Sequence, residues 1–317
     1  MRVLVTGGAG FIGSHLVERL LFEGHVVRVL DDFSSGRREN LAFAKPSAAL
    51  EVIEGDIRDA PSVETAVAGV DGVFHEAALV SVPRSVENPE LSCAVNAHGT
   101  VRIFDAARRA RVRRVVFASS AAVYGDTATL PVTESEPVRP LSPYGLDKRY
   151  TEQLAVLHHA LYGLETVPLR YFNVFGPRQD PSSPYSGVIS IFVSRLLAGA
   201  PITIHGDGEQ TRDFVYVDDV VQANMRAMFA PYPGPSPFNV ASGSRTTLNA
   251  LAASLGEIIG VQPSIVRGPA RAGDIRHSAA NISAIRRALA YDPRWTTRAG
   301  LEALVASLRA AAPPPHS

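Results

Sequence analysis

Val3-Leu4-Val5-Thr6-Gly7-Gly8-Ala9-Gly10-Phe11-Ile12-Gly13 decides the reading of this chain: an apolar strand, a glycine-rich turn and the start of a helix. The spacing G-x-x-G-x-x-G lets backbone approach a pyrophosphate closely. The helix N-terminus behind it offers unpaired N–H groups and the positive end of its dipole. The more familiar spacing is G-x-G-x-x-G. Placement straight after the first strand nevertheless makes Gly7, Gly10 and Gly13 a dinucleotide fingerprint rather than a plain turn. Asp31 and Asp32 end the second strand, about twenty residues further on, where an acid binds the adenosine ribose hydroxyls and repels a 2′-phosphate. Arg37 and Arg38 follow only some residues later, so the pattern points to NAD rather than NADP. Either acid, and Asp32 in particular, can instead cap a turn.

Working outward, short β-branched runs at Val26–Leu30, Val52-Ile53, Val73-Phe74, Val115–Phe117 and Val167–Leu169 read as strands apolar on both faces, as buried parallel strands are. Between them, Ser14–Phe22, Pro61–Ala68, Ala94–Ala110 and Pro143–Tyr162 carry helical spacing. The alternation predicts an α/β fold: a doubly wound parallel sheet of Rossmann type with a smaller C-terminal substrate lobe. Residues 1–171 form the dinucleotide-binding part, to which the chain returns around 214–245, and 172–317 form mainly the second lobe. Stretches rich in Pro, Ser and Gly at 176–187 and 230–237 read as loops, and Ala311 to Pro315 reads as a tail.

The chain has 317 residues, 46% of them hydrophobic, with 31 Lys+Arg against 31 Asp+Glu. This excludes wholesale disorder and gives no electrostatic reason to expect nucleic acid or an anionic membrane as partner. Cys93 is the sole cysteine, so no internal disulfide or cysteine metal cluster exists, which fits a cytoplasmic protein. Glu18 and Arg19 interrupt the apolar N-terminus before a signal peptide or membrane span can form. The histidines lack metal-ligand spacing, His158-His159 reads as a helix surface, and no metal is expected.

Tyr144 and Lys148 stand four apart on a helix, on one face. A phenol titrating near 10 is a poor base, but one ammonium at about 4 Å contributes roughly 4 kcal/mol at an effective dielectric near 20, or about three pKa units. That brings Tyr144 towards the range of a general base. Upstream, Phe117-Ala118-Ser119-Ser120 delivers serines to the carboxyl edge of the sheet, where ligands bind in such folds.

With these elements in place, the chain resembles the extended short-chain dehydrogenase/reductases and, more narrowly, the UDP-sugar 4-epimerases. The resemblance runs from Arg2 to about Ala310. It also rests on Gly55-Asp56-Ile57-Arg58-Asp59, His75-Glu76-Ala77-Ala78, Ser142-Pro143-Tyr144-Gly145, Arg170-Tyr171-Phe172-Asn173 and Gly206 to Val215. It implies NAD in the Rossmann lobe and a UDP-sugar between the lobes. By resemblance, Ser120 bonds the sugar 4-hydroxyl, Tyr144 is the base and Lys148 its partner and ribose ligand. Asp56 and Ile57 flank adenine, Ala77 and Asn96 line the cofactor channel, and Phe172 approaches the nicotinamide. Phe11, Ile12, Ser34, Gly36, Ala78 and Ser119 complete the cofactor set. Asn173, Arg212, Arg271 and Asp274 grip the UDP moiety, and Ser81, Gln179, Val188 and Ser278 complete the substrate set. Arginine forks suit a pyrophosphate and a carboxylate suits ribose hydroxyls.

Among related branches, sugar 4,6-dehydratases place an Asp-Glu pair in the loop after Ser120, and UDP-glucuronate decarboxylases a glutamate. Here Ala121-Ala122 transfers no proton, which favours an epimerase. Ser278 aligns with a wall position where a bulky residue restricts some epimerases to unsubstituted hexoses, so an N-acetylated sugar is expected alongside glucose. UDP-glucuronate is the rival, requiring a cation such as Arg84, Arg178 or Arg195 at carbon 6. A non-catalytic nucleotide-sugar or NAD sensor is the reading from another class, opposed by the intact Ser120, Tyr144 and Lys148. The resemblance also implies a homodimer through helices Ala94–Ala110 and Pro143–Tyr162, whose apolar faces include Val95, Val101, Leu154 and Leu157.

Overall fold

Strand β1 (Arg2–Thr6) is apolar over Val3–Val5 because both its faces are covered there. Val3 and Val5 join Leu16, Val17 and Leu20 of helix α1 (Phe11–Phe22) in one core, whereas Leu4 belongs to the core on the opposite face. The computed structural model describes residues 1–44, 48–180, 187–270 and 275–311. Strands β2 (Val26–Asp31) and β3 (Leu50–Glu54) follow, then α2 (Ala60–Val67), β4 (Gly72–His75), α3 (Val82–Glu87) and α4 (Pro89–Ser92). Next come α5 (Gly99–Arg109), β5 (Arg114–Ser120), α6 (Pro143–Tyr162), β6 (Glu165–Tyr171) and β7 (Asn173–Phe175). The chain continues through α7 (Val188–Leu197), β8 (Ile202–His205), β9 (Thr211–Arg212), β10 (Phe214–Tyr216), α8 (Val217–Phe229) and β11 (Phe238–Val240). It ends with β12 (Thr246–Thr247), α9 (Leu248–Ile259), β13 (Ile265–Gly268), α10 (Ser283–Leu289) and α11 (Thr297–Ala311).

Seven strands form one parallel sheet in the order β11-β6-β5-β4-β1-β2-β3. The chain builds outward from β1 to β3, then crosses back to place β4 on the other side of β1. Such a reversal opens a crevice at the carboxyl ends of the two central strands. Its lips are the Gly7 turn after β1 and Glu76-Ala77 after β4. Helices α2, α5 and α6 supply Val63, Phe104 and Ala155 to one face, and α1 and α8 supply Leu16 and Val220 to the other. Beyond the sheet, the pairs β7–β10, β9–β12 and β8–β13 surround a third core, in which Phe192 of α7, Leu251 of α9 and Leu304 of α11 meet.

Two details differ from the sequence reading. The stretch expected as one helix from Ala94 is π-helical over Cys93–His98 before α5 begins. Such wide turns recur at functional sites, and here Thr100 donates to the Asn96 carbonyl at 2.6 Å. His158, expected on a surface, is buried, its ring 5.4 Å from that of Phe104. Helix α6 keeps its expected bounds because both ends are built locally: Ser142 accepts from Gly145 N at 3.1 Å, Pro143 occupies the first turn, and Gly163 adopts φ 70°.

Candidate active site

The glycine turn is shaped by contacts that leave no room for a side chain. Gly7 has φ +67°, and a Cβ there would lie 2.7 Å from Ala77 N; one on Gly13 would lie 2.1 Å from the Gly7 carbonyl. Gly10 N donates to that same carbonyl at 3.0 Å. Helix α1 begins at Phe11 with no side-chain cap on its N-terminus, so its first N–H groups remain for an anion. Asp31 is buried and accepts from Ala9 N and Phe33 N, both at 2.9 Å, while Gly36 passes so close that a Cβ would stand 2.7 Å from its carboxylate. Burial raises the Asp31 carboxyl and the two N–H groups oppose that rise. Asp32 is spent locally, accepting Ser34 N and Oγ at 2.9 and 2.6 Å. Of the two acids, the turn falls to Asp32. Arg37 and Arg38 pair with Asp180 and Glu54, so carboxylates neutralise the nearest arginines. These features fit a pyrophosphate and an unphosphorylated adenosine ribose, that is, NAD.

Around the rest of the crevice, the Arg58 guanidinium, 2.9 Å from Asp56, holds that carboxyl below its ordinary value. Ile57 packs so closely on Gly99 that a Cβ there would meet it at 2.5 Å. Asn96 is buried and accepts from Leu79 N at 2.9 Å, which fixes the segment carrying Ala77 and Ala78. Ser81 caps α3, accepting from Arg84 N at 3.1 Å.

The two serines at the end of β5 part company. Ser119 gives its hydroxyl proton to buried Glu152 at 2.6 Å. Ser120 accepts from Ala122 N at 3.1 Å and lies near enough to the Tyr144 hydroxyl to draw its pKa downward. Glu152, two turns beyond Tyr144, receives Arg170 Nε and Nη2 at 2.7 and 2.8 Å, and this buried pair locks α6 against β6. Tyr144 and Lys148, on the same helix, are both buried.

The electrostatics depart from the simple two-residue expectation. Lys148 Nζ donates to the Ala118 carbonyl at 2.8 Å and stands 5.8 Å from the centre of the Tyr144 ring. Burial pushes Tyr144 up to about 12; the Ser120 hydrogen bond acts downward and the charge of Glu76 upward. Burial brings Lys148 down to about 8, opposed by Glu76, Asp147 and Glu152. The protein's own groups therefore do not yield a low-pKa tyrosine, because desolvation outweighs the influence of Ser120 and Lys148 is engaged with a carbonyl. Glu76 has a part that the sequence reading left unassigned. A lone acid just past a central parallel strand was the available signal.

On the other side of the crevice, Phe172 is buried beside Tyr124, ring centres 6.5 Å apart. Asn173 donates through Nδ2 to the Asp213 carbonyl at 3.3 Å, next to Arg212. Ser278 N donates to the Thr211 carbonyl at 3.1 Å, so Asn173, Arg212 and Ser278 gather at β7 and β9. Gln179 accepts from Ser190 at 2.5 Å near half-buried Val188 at the start of α7. Arg271 and Asp274 lie outside the described residues. No group of three potential ligands for a metal exists among the described residues, and no helix there is long and apolar enough to cross a membrane.

The model of the NAD dependent epimerase/dehydratase family matches residues 3–241. A UDP-glucose 4-epimerase of Mycolicibacterium smegmatis is 43% identical over 311 residues, 98% of this chain and 99% of that one. Among solved structures, a UDP-N-acetylglucosamine 4-epimerase from Methanobrevibacter ruminantium, in complex with UDP-N-acetylmuramic acid, matches with TM-score 0.93 and 39% identity over 98% of both chains. A Thermus thermophilus UDP-glucose 4-epimerase in complex with NAD matches with TM-score 0.90 and 38% identity, over 98% of this chain and 100% of that one.

Proposed function

The chain belongs to the NAD dependent epimerase/dehydratase family and catalyses NAD-dependent 4-epimerisation of a UDP-sugar; from that premise we propose that Ser120, Tyr144 and Lys148 carry the chemistry and that its substrates are the UDP-N-acetylglucosamine and UDP-glucose pairs. The observation that carries the reading is the Ser120–Tyr144 hydroxyl pair beside Lys148, followed by Ala121 and Ala122.

When bound, NAD supplies a hydride acceptor that also gives the hydride back. Gly7, Gly10, Gly13 and the first turn of α1 hold its pyrophosphate, Asp31 its adenosine ribose, and Asp56 and Ile57 its adenine. Ser34, Gly36, Ala77, Ala78, Asn96, Ser119 and Phe172 complete the cofactor set. Ser120 holds the sugar's 4-hydroxyl and relays its proton to the Tyr144 phenolate, which the Lys148 ammonium favours beforehand and which becomes the neutral phenol. The same proton returns to the 4-keto oxygen when the hydride re-enters from the opposite face. Alanines at 121 and 122 offer no acid or base that would divert the 4-keto sugar into loss of water. Asn173, Arg212, Arg271 and Asp274 hold the UDP, with Ser81, Gln179 and Val188 around the substrate, and Ser278 leaves room for an acetamido group.

A neutral sugar is favoured over UDP-glucuronate by the fate of three arginines. Arg178 pairs with Glu18 and lies over the Phe43 ring at 4.9 Å, and Arg84 and Arg195 are exposed. A homodimer through α6 is part of the reading. Val95 and Leu154 pack into the core, whereas Leu146, Tyr150, Leu157 and Leu161 make an exposed apolar stripe on that helix. A cytoplasmic setting accords with the solitary Cys93. Incubation with UDP-N-acetylglucosamine, UDP-glucose and UDP-glucuronate, with 4-epimers resolved by chromatography, tests the substrate assignment. Turnover of UDP-glucuronate alone would refute it. Light scattering tests the dimer, which a monomeric native protein would exclude.

A further inference from the structure

Glu76 stands outside the Ser120–Tyr144–Lys148 set and shares its electric field. It directly follows β4, and its neighbour Ala77 is the residue whose backbone closes on Gly7. The carboxylate accepts the Tyr171 hydroxyl at 2.8 Å. That hydroxyl accepts from Asn224 Nδ2 at 2.7 Å, and the same amide donates to the Val220 carbonyl at 2.9 Å. A chain of hydrogen bonds from α8 through β6 therefore ends in a half-buried acid on the crevice wall. Tyr171 from β6 bonds it directly, the neutral Asn224 from α8 stands behind that hydroxyl, and Lys148 and Tyr144 from α6 lie within reach of its charge. His75, its neighbour on β4, is held at the Thr6 and Thr100 hydroxyls at 2.7 and 2.9 Å, and burial keeps it neutral, down to about 3.

Resting on the assignment of Ser120, Tyr144 and Lys148 as the catalytic set, we propose that Glu76 is a positioning residue of the hydride chemistry: anchored by Tyr171, its carboxylate supplies the negative charge against which Tyr144, Lys148 and the cationic nicotinamide ring are balanced. Burial pushes Glu76 up to about 7, with the Tyr171 hydrogen bond and the Lys148 charge acting downward. Once ionised, it raises Lys148 against the lowering effect of burial and raises Tyr144 as well. Deleting the charge makes both groups release their protons more readily, so both change in the same direction. A negative charge also favours the oxidised, cationic ring over the neutral reduced one. The resident cofactor is thereby biased toward NAD between turnovers.

E76Q keeps the shape and an acceptor for Tyr171 while removing the charge; E76D keeps the charge. In the NAD-loaded enzyme, E76Q is expected to move both limbs of the pH profile of kcat to lower pH by about one pH unit. The share of bound cofactor present as NADH in the UDP-sugar complex, read by its near-ultraviolet absorbance, rises several-fold. E76D leaves limbs and NADH share close to those of the native enzyme. Unmoved limbs with an unchanged NADH share in E76Q overturn the proposal, and so does E76D behaving as E76Q does. Y144F separates this from its premise: full turnover in Y144F removes the catalytic assignment, whereas an inactive Y144F beside an unaltered E76Q removes only the role of Glu76.

Discussion

Replacing Glu152 by Ala tests whether the buried ion pair holds the catalytic helix in place. Glu152 is 2% exposed and Arg170 1%. Its two oxygens accept Arg170 Nε at 2.7 Å, Arg170 Nη2 at 2.8 Å and Ser119 Oγ at 2.6 Å. Removing the carboxylate leaves a guanidinium buried with only Tyr124 Oη at 2.8 Å and the Glu134 carbonyl at 3.4 Å. An uncompensated buried charge of this kind costs about 3–5 kcal/mol. Unfolding entropy of about 2.1 cal/mol/K per residue, taken over 317 residues, is about 0.7 kcal/mol/K, so a loss of about 4 kcal/mol lowers Tm by about 6 °C. The pair itself is worth far less than its rupture, since both desolvation costs vanish when both charges go. The double variant E152L/R170M should therefore melt well above the sum of the single losses. Thermal unfolding followed by circular dichroism, with urea denaturation as a second measure, reads the native protein, E152A, the single variants E152L and R170M, and the double variant. A single variant melting within about 1 °C of the native protein, or strictly additive losses, would refute the reasoning.

Three further outcomes follow from the same contacts. Gly13→Ala puts a Cβ 2.1 Å from the Gly7 carbonyl, where the Gly10 equivalent has 3.1 Å. The carbonyl must retreat by about 1 Å, and NAD retained after gel filtration should fall at least tenfold; undiminished NAD content contradicts the cradle. Ser278→Tyr should depress turnover of the N-acetylated sugar over that of UDP-glucose by roughly 10–200-fold, and equal losses on both sugars would defeat the gating role. His15 donates to the Pro177 carbonyl at 3.0 Å, and burial lowers it to about 4 from 6.5. The unfolded chain then takes up this proton first as pH falls. Stability is intact above pH 6.5 and declines between 6.5 and about 4, by up to roughly 3 kcal/mol. The urea midpoint of His15→Gln should depend less on pH across that window, and parallel curves for the two proteins would show that another group is responsible.

What the sequence determined by itself was whatever neighbouring residues decide among themselves. The strand–turn–helix at Gly7 to Gly13 needs only local backbone geometry, and α6 carries its own cap, proline and terminal glycine at Ser142, Pro143 and Gly163. Tyr144 and Lys148 share a face through helical spacing alone. Tertiary structure decided the choices between adjacent residues. Asp31 reaches the cradle while Asp32 turns to Ser34, and Ser119 is drawn to Glu152 while Ser120 reaches Tyr144. Resemblance had named Ser119 as well as Ser120, and nothing in a serine pair reveals which hydroxyl meets a carboxylate from another element.

The same limit explains Glu76. Its partners lie at 144, 148, 171 and 224, and only the crossing of β4 back past β1, with α8 packed behind, brings them within one field. The sign of the Tyr144 shift turned on this as well. A pairwise estimate with one ammonium predicted a lowered phenol, whereas burial and Glu76 together raise it. Desolvation depends on everything that surrounds a group. Spacing along the chain specifies which residues can meet, and the packed fold sets the dielectric and the charges in which they do so.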